Sequence, residues 1–125
     1  MLSNVLKKFT SVKTASVKED LNLQSLNWCE HEKTWVLFYF STSWCAPCKT
    51  MAPLMDAISD HYSEHLKVVK IDVDEQIQLA KQLEVTGVPT LVLLNQSGHK
   101  SRLIGGVNTK SINRWLDEQL NQPSF

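Results

Sequence analysis

Two cysteines, Cys45 and Cys48, lie three positions apart and enclose an Ala-Pro dipeptide. A continuous apolar run at residues 35–40 precedes them, and a helix-like pattern follows them. A Cys-x-x-Cys pair can form a redox-active disulfide, supply half of a metal site, or place two small side chains in a core. The elements around the pair decide between these three uses.

Hydrophobic periodicity predicts those elements. Residues 35–40 are apolar and aromatic without interruption, which is typical of a strand buried on both faces. After the cysteines, apolar residues recur at the spacing of one helix face, and Pro53 falls inside that pattern. The pair is therefore expected where a buried strand passes into the first turn of a helix.

The rest of the chain alternates between strand and helix patterns. Strands are predicted at 9–15, 66–73, 90–94 and 100–104. Helices are predicted at 16–28, around Ile77, Ala80 and Leu83, and after a cap at Asn108 or Thr109. This order predicts an α/β fold with a central mixed β-sheet flanked by helices on both faces. We expect a single domain over residues 1–125, in which 1–10 form a loosely ordered extension.

The predicted junction favours redox chemistry. Unpaired N–H groups and the dipole at a helix N-terminus stabilise a thiolate, which is the attacking species in disulfide exchange. Cys45 would be that thiolate, and Cys48, one turn deeper on the same helix face, would attack a mixed disulfide. Pro47 stiffens the first turn, where its missing N–H costs little. Trp44 would shield one side of the sulfurs and present an apolar surface to a partner.

Two other interpretations of the pair stay open. Cys29, His31, Cys45 and Cys48 together contain the ligand types of a zinc site with three cysteines and one histidine. A second closely spaced ligand pair is missing, which weakens that interpretation. Inert core thiols are weaker still, because they would have no reason to enclose Ala-Pro at a strand-to-helix junction.

Composition argues against several classes of function. Thirteen Lys and Arg residues balance thirteen Asp and Glu residues, so a nucleic-acid footprint or a patch for anionic membranes is not expected. No apolar segment approaches the roughly 20 residues of a transmembrane helix. The first 20 residues lack the apolar core of a secretory signal, and three cysteines are few for a secreted disulfide scaffold. We therefore expect a reducing compartment, the cytoplasm.

Five separated motifs resemble the thioredoxin family and follow the family's order. They are Trp44-Cys45-Ala46-Pro47-Cys48-Lys49, Ala52-Pro53, residues 70–74, Gly87-Val88-Pro89-Thr90, and Gly105. The resemblance covers about residues 35–120 and implies the thioredoxin-like fold.

The resemblance also implies an activity. Cys45 would attack a disulfide in a target protein, Cys48 would resolve the mixed disulfide, and no cofactor beyond this dithiol would be needed. A flavin-dependent thioredoxin reductase using NADPH would restore the dithiol, and the protein, a monomer, would serve electron transport and cell redox homeostasis. An extended target segment would pair as an added strand beside a mostly apolar docking patch. We expect this docking patch to comprise Trp44, Pro47, Val88, Pro89 in the cis form, and Gly105.

The chain departs from the family pattern in the strand before the site. Family members carry a buried Asp six residues before the first cysteine, where this chain has Tyr39, and a phenol with a pKa near 10 is no comparable base at neutral pH. Lys70, which would face that Asp, loses its partner and is expected to favour a thiolate at the site directly. Cys48 should therefore resolve mixed disulfides slowly, and Tyr39→Asp should speed the reduction of insulin. Milder departures are Ala-Pro in place of Gly-Pro, and Ser41 in place of an aromatic residue.

Two functional alternatives accompany the reductase hypothesis. One is a thioredoxin-fold module that binds clients or a partner enzyme with little redox turnover. The other is a disulfide oxidase or isomerase, which would use the same cysteines at a more oxidising potential. Cys45→Ser separates the first alternative from a reductase, and the reduction potential separates the second.

Overall fold

A five-stranded mixed sheet forms the centre of the protein, whose computed structural model describes residues 12–14, 35–95, 97–105 and 108–121. The sheet order is β1-β3-β2-β4-β5. Strands β1, β3 and β2 are parallel, β4 is antiparallel to β2, and β5 is antiparallel to β4. The strands are β1 (Val12–Thr14), β2 (Trp35–Ser41), β3 (Leu66–Asp72), β4 (Thr90–Asn95) and β5 (Lys100–Ile104). The predicted mixed sheet is confirmed.

Helices pack on both faces of this sheet, as predicted. The described helices are α1 (Ala46–His61), α2 (Ile77–Gln82) and α3 (Thr109–Leu120). Alternate residues of β2 point to opposite faces. Leu37 and Tyr39 pack in one core cluster with side chains of α1 and α3, whereas Phe38 and Phe40 pack in a second cluster with side chains of α2. The helix predicted at 16–28 lies outside the described residues.

The sheet topology gathers three distant segments at the C-terminal end of β2. Phe40 pairs with Thr90 of β4, and Thr90 pairs with Ile104 of β5. Pro89 and Gly105, which flank these pairs, are therefore neighbours, and the Gly105 N–H donates to the Pro89 carbonyl at 2.9 Å. Gly105 has a φ of +94°, a left-handed conformation that favours glycine. The register of the strands thus brings Pro89 and Gly105, two residues of the expected docking patch, into contact.

Helix α2 buries only part of the apolar pattern that predicted it. Leu79, Ala80 and Leu83 are buried, whereas Ile77 is 52% exposed. Gln76, directly before the helix, is buried instead. A helix of six residues presents only one narrow stripe to the sheet, and residues 79, 80 and 83 fill it. The short helix predicted around Ile77, Ala80 and Leu83 is confirmed, with Ile77 at its first position and outside the buried stripe.

Helix α2 ends in a Schellman motif with a glutamate at the left-handed position. Glu84 has a φ of 56°, its N–H donates to the Lys81 carbonyl at 3.1 Å, and the Val85 N–H donates to the Ala80 carbonyl at 2.9 Å. Arg102 of β5 donates to the Glu84 carbonyl at 2.9 Å, which ties this helix end to the sheet edge.

Glu84→Gly should stabilise the protein by about 0.5–1 kcal/mol. A left-handed backbone costs a residue with a Cβ roughly 1–2 kcal/mol, and the larger freedom of glycine in the unfolded chain cancels part of the gain. The urea midpoint should rise while the slope of the transition stays unchanged. Glu84→Ala is the matched control, because it removes the same carboxylate, 3.8 Å from the Lys100 ammonium, but keeps the Cβ. An equal rise in both variants would contradict the argument from backbone strain.

Candidate active site: a disulfide at the start of helix α1

Cys45 and Cys48 form a disulfide where β2 passes into α1. Their Cα atoms are 5.3 Å apart. Cys45 is the N-cap residue of α1, with an extended backbone, and Cys48 lies in the first turn. The predicted position of the pair at a strand-to-helix junction is confirmed.

The N-cap position supplies the electrostatics that disulfide exchange requires. The first N–H groups of a helix have no helical acceptor and carry partial positive charge. The Sγ atom of Cys45 accepts one of them, the N–H of Cys48, at 3.2 Å. A thiolate at Cys45 would accept the same donor more strongly than a neutral sulfur does. The first turn of α1 contains no acidic residue that would oppose this negative charge.

Both cysteines are largely covered in the disulfide form. Cys45 is 5% exposed and Cys48 is 3% exposed, so a target can reach only a narrow part of the sulfur surface. Exposure therefore does not separate the attacking cysteine from the resolving one, whereas the position relative to the helix end does. Trp44, directly before Cys45, is 71% exposed, and Pro47, between the two cysteines, is also exposed.

The residues of the expected docking patch lie at the end of β2 in two groups. Trp44 directly precedes Cys45, Pro47 lies between the two cysteines, and the Trp44 Nε1–H donates to an Asp74 carboxylate oxygen at 3.2 Å. The second group approaches from β4 and β5. Val88 packs against the core cluster that contains both cysteines, and the Val88–Pro89 peptide bond is cis, as predicted.

Lys70 has a partner, which corrects the sequence prediction. Its ammonium lies 3.0 Å from a carboxylate oxygen of Asp56. The expectation of a free cation rested on the missing Asp in β2, but Asp56 of helix α1 supplies a carboxylate instead. Lys70 lines a cleft of about 250 Å³, and Cys48 lines the same cleft.

Tyr39 is buried behind the first turn of α1. Its side chain is 1% exposed, and its hydroxyl donates to the Cys48 carbonyl at 2.5 Å. Burial raises the pKa of Tyr39 to about 12, so the phenol remains a neutral donor at physiological pH. Because the pKa in the unfolded chain is near 10, the stability that this neutral phenol contributes is complete below pH 10 and is lost as the pH rises towards 12.

Three residues around the site escaped the sequence analysis. Asp56 could not be found because its partner Lys70 is 14 positions away on another element. Asp74 was singled out only as part of the motif at 70–74, and its hydrogen bond to Trp44 follows from the register of β2 and β3, in which Ser41 pairs with Asp72. The third is the buried residue Thr42. Its carbonyl accepts the Cys45 N–H at 3.4 Å, and its hydroxyl has no hydrogen-bond partner within the described part of the chain.

The structure also bears on the two other interpretations of the cysteines, inert core thiols and a zinc site. Inert thiols are wrong, because the two sulfurs are bonded to each other. Cys29 and His31, the other two ligands of the zinc hypothesis, lie outside the described residues. Across residues 35–95, 97–105 and 108–121, no three His, Cys, Asp or Glu side chains are grouped to hold a metal ion. No helix in these segments has the length and apolar character to cross a membrane.

Known proteins with related sequences match most of this chain. The family model described as thioredoxin matches residues 13–118. A thioredoxin from Acidithiobacillus ferridurans is 34% identical over 85 residues, which cover 68% of this chain and 79% of the relative. Thioredoxin C-3 from Corynebacterium nephridii is 33% identical over 104 residues, which cover 82% of this chain and 71% of the relative.

Solved structures agree with the fold. The oxidised form of mitochondrial thioredoxin 3 from Saccharomyces cerevisiae is 28% identical, with a TM-score of 0.69 over 89% of this chain and 98% of that one. A mutant thioredoxin from Halobacterium salinarum is 24% identical, with a TM-score of 0.73 over 90% and 94% of the two chains, and supports the fold alone. The family match spans the buried strand, both cysteines and the cis proline, the same parts that build the disulfide site. The chain therefore belongs to the thioredoxin family and is a thiol-disulfide oxidoreductase.

Proposed function

We propose that the protein reduces disulfides in target proteins, with Cys45 as the attacking thiolate and Cys48 as the resolving thiol. The observation that carries this assignment is the place of Cys45 at the N-cap of α1, where its sulfur accepts the Cys48 N–H at 3.2 Å. A negative charge on sulfur is stabilised more at this N-cap position than it would be at a position deeper in the helix.

The reaction has two exchange steps. The Cys45 thiolate attacks one sulfur of the target disulfide, the target S–S bond breaks, and the second target sulfur leaves as a thiolate that takes up a proton. Cys48 then loses its proton and attacks the Cys45 Sγ, which forms the Cys45–Cys48 disulfide and releases the first target sulfur. Two electrons pass from the dithiol to the target.

The proposed docking patch consists of Trp44, Pro47, Val88, Pro89 and Gly105. Its support is the register of β2, β4 and β5, which brings the last three of these residues to the end of the strand that leads into the disulfide. An extended target segment beside Val88 would offer backbone groups for strand-like pairing. Ile104, 61% exposed next to Gly105, would widen the apolar contact.

The oxidised protein needs a reductant, which in this family is a thioredoxin reductase. We propose a flavin-dependent reductase that draws on NADPH, a cytoplasmic location, and a monomer that acts as one domain over residues 1–125. A low cysteine content supports the location, since proteins of oxidising compartments carry more disulfides.

Two measurements test this function. The reduced protein with a thioredoxin reductase and NADPH should catalyse insulin reduction, and its reduction potential against a glutathione buffer should lie near that of a reductant, about −270 mV. A potential near about −180 mV or higher would instead assign the protein to isomerases or oxidases. Either that value or a failure to reduce insulin would overturn the proposal.

A further inference from the structure

The hydroxyl of Tyr39 contacts the backbone of the resolving cysteine. It comes from the face of β2 that packs against α1, and it donates to the Cys48 carbonyl at 2.5 Å. A phenylalanine ring would fill the same apolar space, so packing alone does not explain the hydroxyl group. A buried hydroxyl is costly without a partner, and here its partner belongs to the active-site turn.

Each of the two peptide groups that flank Cys48 donates a hydrogen bond to Cys45. The N–H of Cys48 donates to the Cys45 Sγ at 3.2 Å. The Cys48 carbonyl belongs to the same peptide group as the Lys49 N–H, which donates to the Cys45 carbonyl at 3.3 Å. A donor on one side of a peptide group polarises it and strengthens the bond on the other side. A short chain of hydrogen bonds therefore runs from the Tyr39 hydroxyl through the Cys48–Lys49 peptide group to the Cys45 carbonyl.

The same turn lacks part of its helical support. Pro53 has no N–H to donate to the Lys49 carbonyl four residues before it. The carbonyl side of the first turn is therefore held less firmly by the helix itself. A hydroxyl from β2 adds a contact from outside the helix at this place.

We propose that Tyr39 is a positioning residue. Its hydroxyl holds the Cys48–Lys49 peptide group and thereby fixes Cys48, so that the Cys48 N–H points at the Cys45 sulfur and the Cys48 thiol stays in line for attack. This inference rests on the proposed function, since it concerns the resolution step of that reaction. Tyr39 takes no part in proton transfer.

The test compares Tyr39→Phe with Tyr62→Phe. Tyr62 is a second buried tyrosine, and its hydroxyl donates to an Asp117 carboxylate oxygen at 2.7 Å. It lies at the C-terminal end of α1, roughly 21 Å from Cys48 along the helix axis at about 1.5 Å per residue. Each variant loses a hydrogen-bonded phenol hydroxyl and keeps the ring, so both should lose stability, while only Tyr39→Phe should change the reactions of the cysteines.

The probe is dithiobis(nitrobenzoate), which reports both exchange steps when every protein compared, the wild-type reference included, also carries Cys29→Ser. The Cys29 thiol would otherwise release coloured thiolate of its own. Attack by Cys45 releases one coloured thiolate, and resolution by Cys48 releases the second. In Tyr39→Phe the second phase should slow by about two- to tenfold, the change expected for one lost hydrogen bond. The midpoint of the pH profile of the first phase should move to higher pH, because the thiolate of Cys45 loses part of its support. Tyr62→Phe should leave both phases as in the wild-type protein.

The outcomes separate this inference from the proposed function. If the wild-type protein releases no second equivalent of thiolate, the proposed roles of the two cysteines fail. If it releases both equivalents and Tyr39→Phe matches Tyr62→Phe in the second phase and in the pH midpoint, the reductase stands and the positioning role of Tyr39 is overturned.

Discussion

Cys45→Ser should abolish insulin reduction in the presence of a thioredoxin reductase. A serine hydroxyl is almost wholly protonated at neutral pH even at a helix N-terminus, so the variant has no competent nucleophile, and the Cys48 thiol lacks the N-cap environment. We expect activity to fall to the uncatalysed level, as measured by the turbidity of reduced insulin.

Cys48→Ser should behave differently. Cys45 keeps its N-cap position and can still attack a target, but no second thiol lies in place to resolve the product. A mixed disulfide between Cys45 and the target should therefore accumulate, and non-reducing electrophoresis should show it as a band that dithiothreitol removes. The serine variant at Cys45 should form no such band.

Cys29→Ser is the matched control for both variants, because it removes a thiol outside the pair. It should retain full turnover. Persistent turnover in Cys45→Ser would contradict the assignment of the nucleophile. If the wild-type protein itself turned over poorly while Cys45→Ser still bound partners, the binding-module alternative would replace the reductase.

Local patterns predicted the parts of the site that depend on chain neighbours. A buried run followed by a Cys-x-x-Cys pair and a helix stripe was sufficient to place Cys45 at a helix start, because each of these elements is encoded by adjacent residues. The alternation of strands and helices similarly predicted the class of fold. The cis form of Pro89 and its role beside the cysteines came from family resemblance, since no periodicity marks them.

Contacts between elements were the part that local patterns could not predict. Strand order depends on how the whole sheet assembles, and only that order explains why Gly105 donates to the Pro89 carbonyl. Lys70 was wrongly expected to be free because its partner Asp56 lies on a helix whose orientation no sequence window encodes. The bond from Tyr39 to the Cys48 carbonyl escaped for the same reason, although both residues were singled out. Tyr39 therefore does more than replace the carboxylate that the family carries at this position: its hydroxyl also contacts the backbone of Cys48.

In Tyr39→Asp, the loss of the buried ring and its hydroxyl opposes the gain of a carboxylate. The substitution removes a ring that is 1% exposed and the hydroxyl that holds the Cys48 peptide. Loss of a buried aromatic side chain costs about 3–5 kcal/mol, so the free energy of unfolding should fall by that order. Burial should also raise the pKa of the introduced carboxyl above its unfolded value of about 3.9, so stability should fall further as the pH rises above about 4. Urea denaturation at several pH values measures both effects.

Resolution by Cys48 should nevertheless become faster in Tyr39→Asp around neutral pH. A carboxylate behind the first turn of α1 can accept the Cys48 proton, and general base catalysis typically contributes about 10²–10⁴-fold. That gain exceeds the about two- to tenfold loss expected when the hydroxyl contact disappears. Tyr39→Phe isolates the loss, so the ratio of the second-phase rates in the two variants measures the carboxylate alone. This ratio should rise with pH through the pKa of the introduced carboxyl, and insulin reduction should exceed that of the wild-type protein. A second phase no faster than that of Tyr39→Phe at any pH would mean that proton removal from Cys48 does not limit resolution.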